Sequence, residues 1–395
     1  MNNFKPVLIL VVIAVLAISF QSFNKQESAS TEGLLQLPVN DFSTTRKNGK
    51  FAEAQPLEEV FTTTNWFDLG FPAINEDLTL ALKHQRRVLK DGKFKDGQKV
   101  GNLKVTAADF ATVIDFLLER EGLRPTDLHQ YLDAHQVWGE DKKGHVRFTG
   151  YYTPVVEAKK SPSGKFKYPI YAKPENWEGP MPTRQEIESE GYLKGLGLEL
   201  AYTANPVDIS AIQLQGSAYV DFVDTGERRL LQYAGYNGHR YRNIQNFFKD
   251  RGDLSIGDVS FQGIKRFLKK NPSLTDSVLH YNPSYTFFAS KKGLVKGAGD
   301  VPLIKAISIA ADPNFFPAGS VLLASFPIVE KGQVTHHEYR ILLPQDVGGA
   351  IKGAGRVDVY CGVGKAGEQA ASNLHHYGKV WMLTPKTNTQ IAQVL

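Results

Sequence analysis

Two aspartates twelve positions apart, Asp346 and Asp358, stand in a stretch with five glycines: Gly348, Gly349, Gly353, Gly355 and Gly362. Glycine lets a backbone approach a ligand closely and supplies turns with positive φ. Within the stretch, Arg356-Val357-Asp358-Val359-Tyr360 alternates polar and apolar. On a strand this puts Arg356, Asp358 and Tyr360 on one face. If that face lines a groove, Asp358 has a cation and an aromatic beside it. A carboxyl partly withdrawn from water has its pKa raised and can serve as a general acid at neutral pH. A third aspartate, Asp312, sits in Ala310-Ala311-Asp312-Pro313. Aspartates beside glycine or before proline also cap turns, and spacing alone leaves both readings open for all three.

Other chemistries find less support. His336-His337 and His375-His376 are adjacent pairs. Neighbours on a strand point to opposite faces, so neither pair makes a good bidentate metal site. There is no HExxH and no GxSxG, and Gly362-Val363-Gly364-Lys365-Ala366 lacks the spacing and the Ser/Thr of a phosphate loop. A single cysteine, Cys361, rules out an internal disulfide or a Cys-based metal cluster. No metal and no organic cofactor is expected. Ser217, after Gln215 and Gly216, has no spaced base and is a hydrogen-bond donor rather than a nucleophile. Thr149-Gly150-Tyr151-Tyr152-Thr153 and Tyr233 to Tyr241 are rich in hydroxyl, amide and aromatic groups. That composition suits sugars, and equally suits ordinary sheet packing.

The elements that must position these residues change character along the chain. Helices are expected over Ile74 to Leu89, after Thr106 with Asp109 in a capping-box arrangement, and over Arg124 to His135. Phe110, Val113, Ile114, Leu117 and Leu118 fall on one helical face. From Val146 the texture is β-rich. Strands are expected at Val146–Val156, Ala211–Gln215, Ala218–Val223, Tyr285–Ala289, Lys305–Ala310, Val321–Ala324, His337–Leu343, Arg356–Tyr360 and Lys379–Leu383. Helices are expected at a Thr183/Glu186 cap, about Tyr241–Asp250, Asp258–Lys269 and Ala366–His376. Short strands with Gly and Pro turns favour a small barrel over a parallel sheet.

The chain has 395 residues, 42% apolar and 22% charged, with a formal net charge of +5. The length allows two or three domains. The charge is scattered on solvated faces, without a basic stripe, so no nucleic-acid partner is expected. Lys5 followed by the apolar run Val7–Phe20 has the form of an export signal or N-terminal membrane anchor over residues 1–22. The run is shorter than the ~20 residues that span a bilayer comfortably. No cysteine follows it, which excludes lipoprotein acylation. Residues 23–45 are polar, as in a flexible tether.

Taken in order, Phe148–Glu157, Tyr168–Tyr171, Gln215–Phe222, Tyr233–Tyr241, Asn282–Phe288, Val301–Leu303 and Asp346–Gly362 resemble the membrane-bound lytic murein transglycosylase A family. The resemblance covers roughly residues 145–385. It implies a mainly β fold with helices: a double-psi β-barrel from residues 46–153 and 286–395, and a smaller β-domain, 154–285, inserted so that a groove lies between them. It also implies cleavage of the β-1,4 bond between N-acetylmuramic acid and N-acetylglucosamine in peptidoglycan without water, giving 1,6-anhydromuramic acid ends. The family's three-aspartate signature falls on Asp358 as the catalytic acid, with Asp346 and Asp312 in support. Thr149, Tyr151, Thr153, Gln215, Ser217, Gly349 and Lys352 are the substrate-binding residues it implies. The implied partners are peptidoglycan glycan strands and, beyond them, proteins of cell-wall synthesis or division. Membrane contact is confined to the N-terminal segment and the expected location is the periplasm of a Gram-negative bacterium. The competing expectations are a peptidoglycan-binding scaffold without catalysis and a hydrolytic glycosidase on a related barrel.

Overall fold

Local signals set the first described elements. The computed structural model describes residues 59–386 apart from 66–68, 95–98, 120–127, 129, 252–255 and 258–260. The expected signal, the tether and five of the twelve residues of the expected Arg124–His135 helix lie outside those residues. After a short strand β1 (Phe61–Thr64), helix α1 (Glu76–Lys90) is capped by Asn75, whose side chain accepts the Leu78 N–H at 2.9 Å. Helix α2 (Ala107–Glu119) starts from Thr106, whose N–H and hydroxyl both donate to Asp109 at 2.8 Å, and it buries Phe110, Val113, Ile114 and Leu117. Those caps satisfy backbone donors that a helix start leaves without intrahelical partners.

Strand β2 (Leu132–Val137) occupies residues that the sequence placed in a helix. Leu132, Ala134 and Val137 are fully buried, and β2 is paired on both sides, by β1 and by the last strand of the chain. Here sheet pairing overrides a weak helical periodicity. Strand β3 (Val146–Thr153) follows, and one residue later β4 (Val155–Lys159) leaves for a second sheet.

That second sheet collects β5 (Tyr168–Tyr171), α3 (Arg184–Glu188), β6 (Glu199–Thr203), α4 (Pro206–Gln215), β7 (Ser217–Phe222), β8 (Arg228–Tyr236), α5 (Gln245–Asp250), α6 (Phe261–Lys270), α7 (Thr275–His280) and β9 (Thr286–Lys291). Its strand order is β5-β6-β4-β7-β8-β9 over a core that includes Ile170, Ile212, Val220, Leu231 and Phe288. The sheet ends at Lys291, a little beyond the expected boundary at 285. The expected strand Ala211–Gln215 is instead the end of α4. Asn205 accepts the Val207 N–H, Pro206 opens the first turn, and Gly216 closes the helix at φ +76°. An Asn-Pro start and a left-handed Gly stop outweigh the β-like Ile212 and Leu214 between them.

The chain then returns with β10 (Ser308–Ala310), β11 (Leu322–Glu330), β12 (Gln333–Asp346), β13 (Arg356–Val363), α8 (Gly364–Asn373) and β14 (His375–Pro385). These strands run in the order β14-β11-β12-β10-β13-β3, and β3 pairs back onto β14. Six strands therefore close a ring, as a small barrel requires. Two of its pairings, β10 with β12 and β13 with β3, are parallel. Phe148, Leu322, Leu342, Val357, Val380 and Met382 belong to its core, all of them fully buried. The fold is mainly β with helices, with the second sheet inserted between β3 and β10. Among the described residues no helix is long and apolar enough to cross a membrane.

Candidate active site

Four neighbouring barrel strands place one residue each in a row. Register pairs Asp346 of β12 with Ala310 of β10, Ala310 with Asp358 of β13, and Asp358 with Thr149 of β3. The two carboxylates therefore share a band of the barrel wall with the inserted domain's β3–β4 junction beside it. Alternation on β13 and β3 sends Arg356, Asp358 and Tyr360, and opposite them Thr149, Tyr151 and Thr153, to one face. The inward alternates Phe148, Val357 and Val359 are core residues.

Asp358 is partly buried. Thr149 Oγ1 donates to its Oδ1 at 2.6 Å, and among the described residues this is the one hydrogen bond the carboxyl accepts. The same Thr149 oxygen accepts from Arg356 Nε at 3.1 Å, so cation, hydroxyl and carboxyl form a chain. Thr149 has one hydroxyl hydrogen. It goes to the carboxyl at 2.6 Å in preference to the Val357 carbonyl at 3.5 Å. Burial pushes the Asp358 carboxyl above its usual range. The Thr149 bond and the Arg356 charge pull it back in part. The net result is an acid with a raised pKa that still reaches solvent.

Asp346 sits in a different environment. Its Oδ1 accepts two backbone N–H groups, from Ala298 at 3.0 Å and Val347 at 2.9 Å, and its Oδ2 accepts the Tyr151 hydroxyl at 2.9 Å. Burial raises its pKa, those three donors oppose the rise, and the charge of Asp358 adds to it. Tyr151 is held well above its ordinary pKa by burial and by Asp346, so it keeps its proton and donates. Asp346 thus ties β3 to β12 and to the segment returning from the inserted domain.

Asp312 is buried and does not touch either carboxyl. Its Oδ1 accepts from the Asn314 backbone N–H at 3.1 Å and its Oδ2 accepts the Gly353 N–H at 2.8 Å. It is a turn cap, as one sequence reading allowed, and it latches the glycine-rich segment that carries Gly349 and Lys352. Gly353, at φ +82°, makes that turn. Gly349 and Lys352 are exposed on this segment.

Of the remaining expected residues, Thr153 Oγ1 lies 3.0 Å from the Tyr360 hydroxyl and 3.3 Å from Ser217 Oγ. Gln215 Oε1 accepts the Tyr152 N–H at 2.9 Å. Gln215 and Ser217 therefore fasten the inserted domain to β3 at the edge of the row. Sequence reasoning put Arg356 and Tyr360 on the right face without assigning them a part. The Ala298 N–H was missed, because a backbone donor from a distant loop leaves no mark in side-chain pattern. The neighbouring histidines make no metal site: His337 Nε2 faces the Tyr377 carbonyl at 2.9 Å while His336 faces Glu338. Among the described residues no group of three His, Cys, Asp or Glu is placed to hold a metal ion.

Comparison with known proteins places this geometry. The MltA specific insert domain matches residues 147–289 and the 3D domain matches residues 307–384. The membrane-bound lytic murein transglycosylase A of Escherichia coli K12 is 38% identical over 269 residues, covering 67% of this chain and 73% of that protein. The crystal structure of E. coli MltA with bound chitohexaose superimposes with a TM-score of 0.71 at 32% identity, covering 88% of this chain and 99% of that one. A membrane-bound lytic murein transglycosylase from Agrobacterium tumefaciens gives 0.64 at 25% identity, covering 82% of this chain and 95% of that one.

Proposed function

The chain belongs to the membrane-bound lytic murein transglycosylase A family, and from that premise we propose that it cleaves the glycan strands of peptidoglycan with Asp358 as its only acid and base. The enzyme is a peptidoglycan lytic transglycosylase, and its relatives' membrane-bound character suggests an envelope location. The finer reading rests on the environment of Asp358: a partly buried carboxyl with a raised pKa, oriented by one hydroxyl.

In the proposed reaction protonated Asp358 donates to the oxygen bridging N-acetylmuramic acid and N-acetylglucosamine. The C1–O bond breaks as positive charge builds on the muramoyl ring. The new carboxylate, held by the Thr149 hydroxyl and near the Arg356 charge, then takes the proton from the C6 hydroxyl of the same ring. That oxygen closes on C1, giving a 1,6-anhydro end and an N-acetylglucosamine 4-hydroxyl. One proton leaves Asp358 and one returns, and no water is consumed. Glycosidases that use water or a covalent intermediate need a second carboxylate. An attacking hydroxyl already on the sugar supplies effective molarity in its place. Asp346 positions Tyr151 and the returning segment, and Asp312 holds the loop that carries Gly349 and Lys352.

Digestion of purified peptidoglycan by the native enzyme and by Asp358→Asn, followed by mass spectrometry, tests this. Anhydro ends from the native protein and almost none from the variant are expected. Reducing muramic acid, heavier by one water, would identify a hydrolase. Undiminished anhydro product from the variant would remove Asp358 from the reaction.

A further inference from the structure

The row of side chains continues past Thr149. On the side of β3 away from Asp358, His375 of β14 pairs with Thr149. There, between the barrel and helices α4, α6 and α8, lies a pocket of about 350 Å³. Thr149 and Arg356 form its rim towards the acid. Leu214 and Gln215 of α4, Gln262 of α6 and Ser372 of α8 are among its walls. Glu368 closes one side, accepting from Tyr152 Oη at 2.9 Å and from the Gln262 amide.

The donor set is specific in kind. The Arg356 guanidinium has five N–H donors. Its Nε donates to Thr149, and among the described residues its terminal nitrogens have no protein partner. Gln215 accepts the Tyr152 N–H through Oε1, which leaves its amide N–H₂ to donate. Leu214 is half exposed and offers an apolar wall. Fixed cationic and amide donors beside a small apolar surface fit the carbonyls, carboxylates and methyl groups of a short peptide. The pocket shares Thr149 and Arg356 with the chain to Asp358, which puts its occupant beside the sugar whose C1 meets that acid. On a glycan strand of peptidoglycan that sugar is muramic acid, and its side arm is a lactyl group carrying a peptide stem.

We propose that this pocket is a subsite for the lactyl-peptide arm of the reacting muramic acid, with Arg356 donating to the lactyl carbonyl and the first peptide residues lying between α4 and α8. The inference rests on the peptidoglycan reading above. It makes peptide-bearing strands better substrates than strands stripped of peptide.

The test compares intact glycan strands with the same strands denuded by an amidase that cuts the muramoyl–peptide bond. Ser372 is exposed on α8 and bonds none of the Asp358–Thr149–Arg356 chain, so Ser372→Trp fills the pocket from its wall. Expected is a roughly tenfold fall in kcat/KM on peptide-bearing strands, carried by KM, with activity on denuded strands within twofold of native. Native-like turnover of denuded strands also shows that the variant folds. Gln245→Trp, which also fills the pocket from its lining, gives the same asymmetry by a second route. Equal losses on both substrates would make the pocket a sugar subsite and overturn the proposal, as would unchanged kinetics on peptide-bearing strands in both variants. If the native enzyme releases no anhydro product from either substrate, the reaction assignment itself fails, which is a separate and recognisable outcome.

Discussion

Replacing Asp358 by Asn separates the proton from the shape. The Asn Oδ1 still accepts the Thr149 hydroxyl that reaches Asp358 at 2.6 Å, so the chain from Arg356 persists. What is lost is a group able to give and take a proton. General acid–base action contributes about 10²–10⁴-fold, or about 3 to 5 kcal/mol of barrier at 1.36 kcal/mol per tenfold. The same substitution has an opposite effect on stability. Burial holds the folded Asp358 carboxyl above the ordinary value of 3.8. Below that value both folded and unfolded chains carry the proton and the group is neutral to stability. As pH rises, the unfolded chain ionises first and is favoured. The penalty grows until the pH passes the folded pKa and then levels off. Asn carries no such penalty. The variant's melting temperature, read by differential scanning fluorimetry, is therefore expected to match native in acid and to exceed it increasingly as pH rises, while anhydro-product release falls 10²–10⁴-fold. A variant retaining activity within tenfold refutes the acid. A loss of activity together with a lower melting temperature at neutral pH refutes the argument differently, because the effect would then be one of folding.

Thr149→Val removes the bond that favours ionised Asp358. The carboxyl pKa then rises further, the high-pH limb of kcat/KM moves upward, and kcat falls about 10- to 100-fold with the loss of a charge-assisted bond worth about 1.5–3 kcal/mol. A limb that moves to lower pH contradicts this. Asp346→Asn leaves three donors competing for one good acceptor, so urea denaturation is expected to show a loss of about 1–3 kcal/mol, with kcat down roughly tenfold and KM little changed. A large KM effect with normal kcat would instead put Asp346 against substrate. Asp312→Ala strips the acceptor from the Gly353 N–H. Stability is expected to fall by about 1–3 kcal/mol, and KM to rise through the loosened segment bearing Lys352; unchanged proteolysis of residues 347–355 would speak against the latch.

Much of the site was legible because strands write their faces into sequence with a period of two. Arg356, Asp358 and Tyr360 emerge from that rule alone, and Thr149, Tyr151 and Thr153 answer them across the parallel pairing of β3 with β13. Helix caps were equally legible where side-chain chemistry is local, as at Thr183, whose hydroxyl and N–H both bond Glu186. The errors have a common origin in non-local structure. Leu132–His135 is a strand because two partners 70 and 250 residues away hold it, as in the pairings Thr63 to His135 and Leu383 to Ala134. Nor could spacing separate the roles of three aspartates that look alike in sequence. That separation depends on which backbone N–H groups arrive from Ala298, Val347, Asn314 and Gly353.

Those arriving donors also bear on the proposal that one acid is enough. Asp346 and Asp358 stand two strands apart in the row, with Ala310 between them, a backbone spacing of about 10 Å at ~4.8 Å per strand. A hydrolytic partner needs a second carboxylate free to activate water across the scissile bond. Asp346 accepts three hydrogen bonds, two backbone N–H groups on one oxygen and the Tyr151 hydroxyl on the other, which fill three of its roughly four acceptor positions and fix its orientation towards β3 and the returning segment. Asp358 accepts one hydroxyl, and burial raises its pKa as it raises that of Asp346. In the proposed reaction the two like groups in one band of barrel wall do different work: the donor-rich one holds three segments in register, and the donor-poor one exchanges the proton. The nucleophile in that proposed reaction comes from the substrate itself, and an anhydro product would record that.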